Sequence, residues 1–246
     1  MTQPYRQTFQ IEDIHLDCFG RVKPSVLLYF AQEVAGKHAA LLGADWDTLN
    51  SKNLFWAIIR HHIQVNRLPI SGETVTLETW PMPTTRVAYP RATVCYDEGG
   101  NVLFRTVALW VLMDTESRAM VLPGKSGVRV DGILCGNELA LPGSLPPAKT
   151  EQTVRRQVGY AELDRNLHMN NTRYLDWIDD LLSSDFHRAH PVQEISLCYL
   201  SEAREGQTLT LSWELSRDGL LVVDASREKP GLPGSHERVF AAKIQY

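Results

Sequence analysis

The sequence predicts the same succession of elements in each half of the chain: one helix, followed by a series of strands. In the first half, "PSVLLYFAQEVAGKHAALLG" has Pro24 and Ser25 as helix starters and Gly43 as a stop, and it is apolar on almost every side. A helix of this kind is usually enclosed by other elements. The segments after it, "FWAIIRHHIQVNR", "ETVTLETW", "RVAYPRATVCYD" and "VLFRTVALWVLMD", are rich in Val, Ile, Thr and aromatic residues. Strands that follow one another without helices favour an antiparallel sheet.

The second half returns to the same order. "TVRRQVGY" predicts a strand, and an amphipathic helix is predicted from about Asn171 to Ser184. Its apolar residues recur at helical spacing: Tyr174, Trp177, Ile178 and Leu181. Four strands are predicted next, "VQEISLCYLSEA", "QTLTLSWELS", "LLVVDAS" and "ERVFAAKIQY". "DEGGN" in the first half and "RDG" in the second predict hairpin turns.

The two halves also match weakly in sequence. "HLDCFGRVKPSVLLYFAQEV" aligns with "ELDRNLHMNNTRYLDWIDDL" without a gap, and "RLPISGETVTLETW" resembles "YLSEAREGQTLTLSW" around Gly72 and Gly206. The first alignment pairs Asp17 with Asp164, Leu28 with Leu175 and Phe30 with Trp177. The sequence therefore predicts an internal duplication. A sheet wrapped around one helix is the hotdog arrangement, so the predicted fold class is α+β, a tandem double hotdog.

A stretch dense in Gly and Pro, "PGKSGVRVDGILCGNELALPGSLPPAK", separates the halves. We predict an N-terminal hotdog at residues 1–127, a linker at 128–150 and a C-terminal hotdog at 151–246. With 43% hydrophobic residues, each half can bury a core without a metal or a disulfide.

Charge and cysteine usage exclude several classes of protein. A net charge of −4 argues against general nucleic-acid binding. The four cysteines are scattered without metal-ligand spacing and are expected to be reduced thiols: Cys18, Cys95, Cys135 and Cys198. "MTQPYRQTFQ" has no apolar core for a signal peptide, and "VALWVLM" is too short to span a bilayer. We therefore expect a cytoplasmic protein without a membrane span.

Polar residues are concentrated in front of the second predicted helix, in "YAELDRNLHMNNTRYLDWIDDLL". If this segment is extended, Asp164, Asn166 and His168 share one face, and the other face is mainly apolar. Backbone N–H groups near Asn170 and Asn171, at the start of the helix, would then stabilise an oxyanion. A carbonyl carbon under attack by water needs such a donor and a group that orients or deprotonates the water.

The simpler explanation is that these residues only start a helix, since Asn is an ordinary N-cap residue. The first copy begins its helix without them. It has Phe19, Arg21 and Pro24 at the positions of Asn166, His168 and Asn171. The second copy alone has the side chains that this chemistry needs.

"DRNLHMNNTRYLDW" resembles the Asp-x-Asn-x-His-x-Asn-Asn motif of the acyl-acyl carrier protein (acyl-ACP) thioesterases, plant and bacterial type. "FWAIIRHHIQVNRLPISGETVTLETWP" and "ALWVLMDTESR" are similar to further segments of that family, and the resemblance runs from Ile11 to the C-terminus. It implies hydrolysis of fatty acyl-ACP to free fatty acid and ACP, which terminates fatty acid synthesis. No metal or organic cofactor is implied, and the partner is an acyl carrier protein.

The resemblance also extends the catalytic set to Glu202 in "SLCYLSEAREG". The family often has Cys after this Glu, but here the residue is Ala203, so a Cys–His–Asn mechanism is not available. Cys198 lies about 13 Å back along a strand, at about 3.3 Å per residue, and is expected to be a buried core residue. Water attack remains, with a general base that the sequence does not assign among Glu202, His168 and Asp164; Asn166 would orient substrate or water.

The N-terminal hotdog is expected to hold the acyl chain and the C-terminal hotdog to carry the catalysis. Pocket candidates are Val26, Phe30, Trp56 and Ile58, although each could simply be a core residue. His61 and His62 are neighbours in a strand and should face opposite sides. A basic patch for the acidic carrier protein could be formed by Arg60, Arg67, Arg86, Arg91, Arg155 and Arg156.

Three other functions stay open, and the sequence disfavours two of them. A thioesterase acting on acyl-coenzyme A would share the site. A comparison of kcat/KM for acyl-ACP and acyl-coenzyme A esters would separate it from an acyl-ACP thioesterase. An acyl-binding module that does not hydrolyse is disfavoured by the complete polar set. A hotdog hydratase is less favoured because its usual Asp–His pairing differs. The sequence allows a monomer or a homodimer.

Overall fold

The computed structural model describes residues 2–148, 150–229, 231–232 and 234–246. The chain divides into two compact units, Met1–Pro142 and Gly143–Tyr246. This boundary falls inside the predicted linker at 128–150, of which Lys149 lies outside the described residues. Each unit combines an antiparallel sheet with a central helix, which is the α+β double hotdog that the sequence predicts.

The first unit contains a sheet in the order β1-β3-β4-β5-β2, with the short β6 against β5. Its strands are β1 Tyr5–Gln10, β2 Leu54–Val65, β3 Thr74–Pro81, β4 Tyr89–Tyr96, β5 Val102–Asp114 and β6 Met120–Val121. Its helices are α1 Pro24–Leu41, α2 Trp46–Asn50 and α3 Pro123–Ser126, preceded by a 3-10 turn at Asp13–His15. The turn predicted at "DEGGN" joins β4 to β5, where the N–H of Gly100 donates to the carbonyl of Asp97.

Helix α1 packs on strands β3 and β1 through one face. Leu27, Leu28 and Val34 on that face are fully buried. The expectation of a helix enclosed on every side is wrong, because Tyr29 is 52% and Leu41 is 73% exposed. The sheet covers the helix from one side. Some apolar residues on the other side of the helix therefore remain exposed to solvent.

The opposite face of this sheet is covered by part of the predicted linker. Ile133 and Leu139 pack against the buried Trp80, and the indole N–H of Trp80 donates to Glu138 at 2.9 Å. Gly132 allows the close approach, since a Cβ there would lie 2.2 Å from the carbonyl carbon of Met82. Much of this Gly-rich and Pro-rich segment is therefore a fixed part of the first unit.

The second unit contains a sheet in the order β8-β11-β10-β9-β7. Its strands are β7 Gln152–Gln157, β8 Glu194–Tyr199, β9 Thr208–Leu215, β10 Leu220–Glu228 and β11 His236–Gln245. A 3-10 turn at Tyr160–Glu162 precedes helices α4 Arg173–Asp179 and α5 Ser184–Ala189. Helix α4 packs on the sheet through Tyr174, whose ring stacks on Phe240 of β11 with centroids 4.6 Å apart.

The single helix predicted over 171–184 is wrong in its length. Tyr174, Trp177 and Ile178 are buried as predicted, but α4 ends at Asp179. Ser183 is extended, and its hydroxyl accepts a hydrogen bond from Phe186 N at 3.2 Å, so it caps α5 instead of continuing α4. None of the helices in the described ranges has the length and hydrophobicity needed to cross a membrane.

The four cysteines are free thiols, as predicted. Strand β1 was not predicted, because "YRQTFQ" alternates weakly and forms only an edge of the sheet.

Candidate active site

The polar segment before α4 is a closed turn, and the expectation that it is extended is wrong. Leu163 and Met169 form an antiparallel bridge, and the N–H of Asp164 donates to the carbonyl of His168 at 2.8 Å. The Asp164 carboxylate accepts hydrogen bonds from the N–H of Asn166 at 2.7 Å and from the N–H of His168 at 3.3 Å. Asp164 therefore organises the turn through its Oδ1 atom.

The chain reverses at Leu167, which has a φ of +61°. This left-handed conformation is unfavourable for a residue with a Cβ. The side chain of Leu167 is 70% exposed, so it does not supply the apolar backing that alternation predicted. His168 instead points inward and is buried.

His168 and Glu202 form the central pair of the site. His168 Nε2 lies 2.9 Å from Glu202 Oε2. The histidine side chain is 9% exposed and the glutamate side chain is 32% exposed, so the carboxylate is the member of the pair that water reaches more easily. Arg204 Nη2 lies 3.7 Å from the same Oε2 atom. Glu202 lies in the loop after β8, not in a strand as the prediction for "VQEISLCYLSEA" had it.

The loop carrying Glu202 is held by Arg227 on β10, which the sequence analysis missed. The Arg227 guanidinium donates to the Glu202 carbonyl at 2.5 Å, to Gln207 Oε1 at 2.6 Å and to Ser201 Oγ at 2.9 Å. It also forms a salt bridge with Glu237 on β11 at 2.6 Å. An Arg in a strand has no local signal for such a role, because its partners are distant in the sequence.

The first unit repeats this backbone framework with different side chains. Asp17 accepts from the N–H groups of Phe19 at 2.8 Å and Arg21 at 3.0 Å, as Asp164 does in the second unit. The N–H of Val22 donates to the carbonyl of Pro69 at 2.8 Å.

In the second unit the N–H of Met169 donates to the carbonyl of Ala203, also at 2.8 Å. The positions of His168 and Glu202 correspond to Arg21 and Leu68. Only the second unit therefore places an imidazole against a carboxylate on this framework.

Asn170 and Thr172 organise the start of α4. Asn170 Oδ1 accepts from Thr172 N at 2.9 Å and from Thr172 Oγ1 at 2.8 Å. The N–H of Asn170 donates to Glu162 O, and the N–H of Arg173 donates to Asn170 O. The N–H of Asn171 has no hydrogen-bond acceptor among the described residues, and its role as a donor to an oxyanion stays a prediction. The amide nitrogen of the Asn171 side chain is buried without a hydrogen-bond partner among the described residues.

Two of the four acyl-pocket candidates lie on α1. Phe30 is buried, and its ring contacts Phe9 at 4.7 Å and His15 at 5.0 Å between centroids. Val26 is half-buried. Their role in holding an acyl chain stays a prediction.

The other two candidates lie on β2 and are half-buried. Trp56 donates to the Ala44 carbonyl at 2.9 Å and makes edge contacts with Tyr89 at 5.0 Å and Trp110 at 6.4 Å. Ile58 pairs with Trp110 in the sheet, so it shares a face with Trp56. The structure thus places Trp56 and Phe30 in separate clusters of ring contacts.

Several of the six arginines predicted to form a basic patch contact other side chains. Arg91 lies against His38 of α1, with Nη1 to Nδ1 at 3.1 Å, and its pKa is lowered to about 10 by burial. Arg67 is paired with Glu73 at 2.9 Å, and Arg156 with Asp180 at 3.0 Å. These contacts weaken the idea of a free cationic surface built from this set.

Chemically, the second unit presents a carboxylate in contact with an imidazole. A carboxylate held in this way can accept a proton from water, and the imidazole can orient it and share the charge. The fold and the pair define a hotdog protein with a site equipped for acid–base chemistry.

Comparison with known proteins supplies the family. The model of the acyl-ACP thioesterase N-terminal domain matches residues 2–122, and that of the acyl-ACP thioesterase C-terminal domain matches residues 147–234. The chain belongs to the acyl-ACP thioesterase family.

Curated relatives match the chain at low sequence identity. Oleoyl-acyl carrier protein thioesterase 1 of Arabidopsis thaliana is 25% identical over 82% of this chain and 61% of its own length. Dodecanoyl-[acyl-carrier-protein] hydrolase of Cinnamomum camphora is 25% identical over 88% of this chain and 62% of its own length. The chain thus spans about three-fifths of the length of these relatives.

Solved structures support the fold along the whole chain. An acyl-ACP thioesterase from Bacteroides thetaiotaomicron has a TM-score of 0.83 at 23% identity, covering 98% of this chain and 97% of that one. The 12:0-ACP thioesterase from Umbellularia californica has a TM-score of 0.81 at 21% identity, covering 98% and 96%.

Proposed function

We propose that this protein hydrolyses fatty acyl-ACP thioesters to free fatty acid and ACP. The observation that carries the proposal is the His168–Glu202 contact of 2.9 Å, built on a turn whose first copy lacks both residues. Membership of the acyl-ACP thioesterase family supports the substrate class. In this proposal the first unit holds the acyl chain and the second unit carries the reacting groups.

The proposed mechanism is attack of water on the thioester carbonyl carbon. Glu202 is the better candidate for the base, because its carboxylate is more exposed than the buried imidazole of His168. His168 orients that carboxylate and shares the proton that it accepts. When the carbon–sulfur bond breaks, the proton passes to the leaving thiolate of the carrier's prosthetic arm.

Asp164 and Asn166 have supporting roles in this scheme. Asp164 uses Oδ1 to close the turn that aims His168, and its counterpart Asp17 makes equivalent bonds in the first unit. This supports a positioning role for Asp164 instead of a base. Asn166 would orient the water or the substrate, and the N–H of Asn171 would hold the oxyanion.

The proposed setting is the cytoplasm, with an acyl carrier protein as partner and a monomer or homodimer as the active form. Four free thiols support a reducing compartment. The proposed role is the release of fatty acids at the end of fatty acid synthesis.

The test is release of free thiol from a panel of C8 to C18 acyl-ACPs, compared with the matching acyl-coenzyme A esters. Glu202→Ala should lower turnover by at least ~10²-fold. Glu205→Ala, an exposed glutamate in the same loop, is the matched control. Equal kcat/KM for both kinds of ester would favour the acyl-coenzyme A function. No release from any ester, with tight binding of acyl chains, would favour an acyl-binding module.

A further inference from the structure

A band of polar side chains crosses the face of the first sheet that faces α1. Thr79 on β3 pairs with Thr93 on β4, which pairs with Thr106 on β5. In the next row, Arg91 on β4 and His61 on β2 both pair with Ala108 on β5. Residues opposite each other, or two apart along a strand, share one face of a sheet. We call Thr79, Thr93, Thr106, Arg91, His61 and, from α1, His38 the polar band.

Arg91 marks the face as the one toward α1, because its Nη1 atom reaches His38 Nδ1 at 3.1 Å. The same Nη1 atom donates to Thr79 Oγ1 at 3.4 Å. Thr79 in turn donates to the Ala92 carbonyl and accepts from Thr93 Oγ1 at 2.9 Å. These partners of the guanidinium are neutral, and no carboxylate among the described residues pairs with it. A charge withdrawn from water without a counter-charge is costly.

Two other members of the band have polar atoms without partners. His61 is 1% exposed, and both of its ring nitrogens lack a hydrogen bond to any described residue. Thr106 is 3% exposed, and its hydroxyl also lacks such a partner. Buried polar groups in native proteins are nearly always hydrogen-bonded, and each exception needs an explanation.

The protonation of the band makes it rich in donors and poor in negative charge. Burial lowers the pKa of His61 to about 3, with a smaller contribution from His62. Burial, and then the charge of Arg91, lower the pKa of His38 to about 4. Both imidazoles are therefore neutral at pH 7, and the guanidinium is the charge of the band. Such a set suits an oxygen atom that accepts hydrogen bonds.

The neighbouring rows of the same face are apolar. On one side lie Tyr89, Trp110 and Ile58, which pair across β4, β5 and β2. On the other side lie Cys95 and Phe104, which pair across β4 and β5. An extended hydrocarbon chain along this face would meet apolar side chains, then the polar band, then apolar side chains again.

We propose that the polar band binds an oxygen atom carried by the acyl chain at a distance from the thioester, so that the preferred substrates are acyl thioesters with a hydroxyl or carboxylate on the chain. This inference rests on the proposed function. Thr106 and His61 donate to the oxygen or accept from it, and Arg91 supplies the positive charge, which binds a carboxylate more strongly than a hydroxyl.

The test compares kcat/KM for three esters of one carrier protein: dodecanoyl, 12-hydroxydodecanoyl and 11-carboxyundecanoyl. A series with the hydroxyl at inner carbons locates the position of best fit. We expect at least one oxygenated ester to exceed dodecanoyl-ACP by ~10-fold or more, as one or two buried hydrogen bonds would give. In Thr106→Val, which keeps the shape of the side chain, this ratio should fall at least ~3-fold, and in Arg91→Met the carboxylated ester should lose most.

Thr76→Val is the matched control, because Thr76 lies on β3 but faces the opposite side of the sheet from Thr79. Thr106→Val removes no hydrogen bond to any described residue, so the melting temperature of the variant should stay the same or rise. A loss of selectivity in Thr106→Val therefore cannot be assigned to unfolding.

The outcomes separate the two proposals. A wild-type preference for dodecanoyl-ACP over every oxygenated ester, or a ratio that both variants leave unchanged, overturns the polar band as a ligand site and leaves the proposed hydrolysis standing. If no ester is hydrolysed, the proposed function fails. Calorimetric binding of methyl dodecanoate, methyl 12-hydroxydodecanoate and monomethyl dodecanedioate to wild type and Thr106→Val then decides the inference, because the esterified head group is not a carboxylate. Equal affinities overturn the inference, and tighter binding of the oxygenated esters that weakens in the variant supports it.

Discussion

Glu202 contacts His168 at 2.9 Å on a framework that the first unit builds without either residue. Both units use an aspartate-closed turn, and in both an N–H to carbonyl bond of 2.8 Å joins the turn to the loop. Both units thus have this backbone framework, and only the second unit has the His168–Glu202 pair on it. This distinction allows structural and chemical effects of substitutions to be measured separately.

Replacing the carboxylate without changing its shape should remove proton acceptance. We expect Glu202→Gln to lower kcat by at least ~10²-fold with a much smaller change in KM, since the amide keeps the size of the side chain but is not a base. Steady-state kinetics on acyl-ACP measure both constants. Glu205→Gln in the same loop is the control, and a kcat for Glu202→Gln within threefold of that control would contradict the assignment.

The positioning role of Asp164 can be separated from its effect on stability. Asp164→Ala and Asp17→Ala each remove the acceptor of two backbone N–H groups, and each should lower the free energy of unfolding by about 1–2 kcal/mol. Asp17→Ala also loses the contact with Arg21. Only Asp164→Ala should reduce turnover by ~10²-fold or more, because His168 follows that turn. Denaturant unfolding and turnover are measured on both, and equal turnover of the two variants would argue against the role.

Leu167 has a conformation that glycine adopts more readily. Leu167→Gly should raise the free energy of unfolding by about 0.5–1 kcal/mol, because the left-handed backbone loses its steric penalty and the exposed side chain contributes little packing. Gly20→Leu is the reverse experiment at the equivalent position, where φ is +76° and a Cβ would meet nothing within 4 Å. It should be destabilising by a similar amount. Two changes of the same sign would refute the explanation.

Acid should destabilise the first unit through its buried histidines. His38 and His61 have pKa values of about 4 and about 3 in the folded protein, below the ordinary 6.5, so they take up protons on unfolding below pH 6.5. Their contribution to stability is complete above pH 6.5 and is lost as the pH falls toward 4. Each histidine adds up to ~1.4 kcal/mol per pH unit to the slope.

His61→Leu should make the decline in the free energy of unfolding between pH 6.5 and 4 shallower. Urea unfolding at several pH values measures the slope. His236→Leu, a change of an exposed histidine, is the control. A His61→Leu slope as steep as that of wild type would mean that His61 takes up no proton on unfolding in this range.

The strands were the part of the fold that the sequence predicted best. "VLFRTVALWVLMD" coincides with β5 at both ends, because its dense β-branched and aromatic residues are buried on both faces. The edge strand β1 and the end of α4 were missed, since one has few apolar residues and the other depends on the cap at Ser183. A pattern of hydrophobic residues does not show whether a serine continues one helix or caps the next.

The sequence singled out His168 and Glu202 but did not predict the turn that holds them together. The motif and the family resemblance identified His168 and Glu202, and the structure brings them together. Alternation gave the wrong backbone, because it cannot anticipate a leucine at positive φ. Arg227 and Arg91 were missed or placed on the surface, since arginine is usually exposed and their partners come from other elements.

The repeated turn has a consequence for how the two halves of this chain can diverge. Because backbone bonds and one aspartate maintain the turn, the residues at positions 21 and 68 of the first unit are constrained by the Asp17–Arg21 contact and by packing, not by acid–base chemistry. In a saturation library scored for activity, Arg21 should therefore accept more replacements than His168, and the buried Leu68 should accept other apolar residues, whereas His168 and Glu202 should accept almost none. In the proposed function, the first unit can then vary with the acyl chain that the protein binds, while the second unit keeps the His168–Glu202 pair.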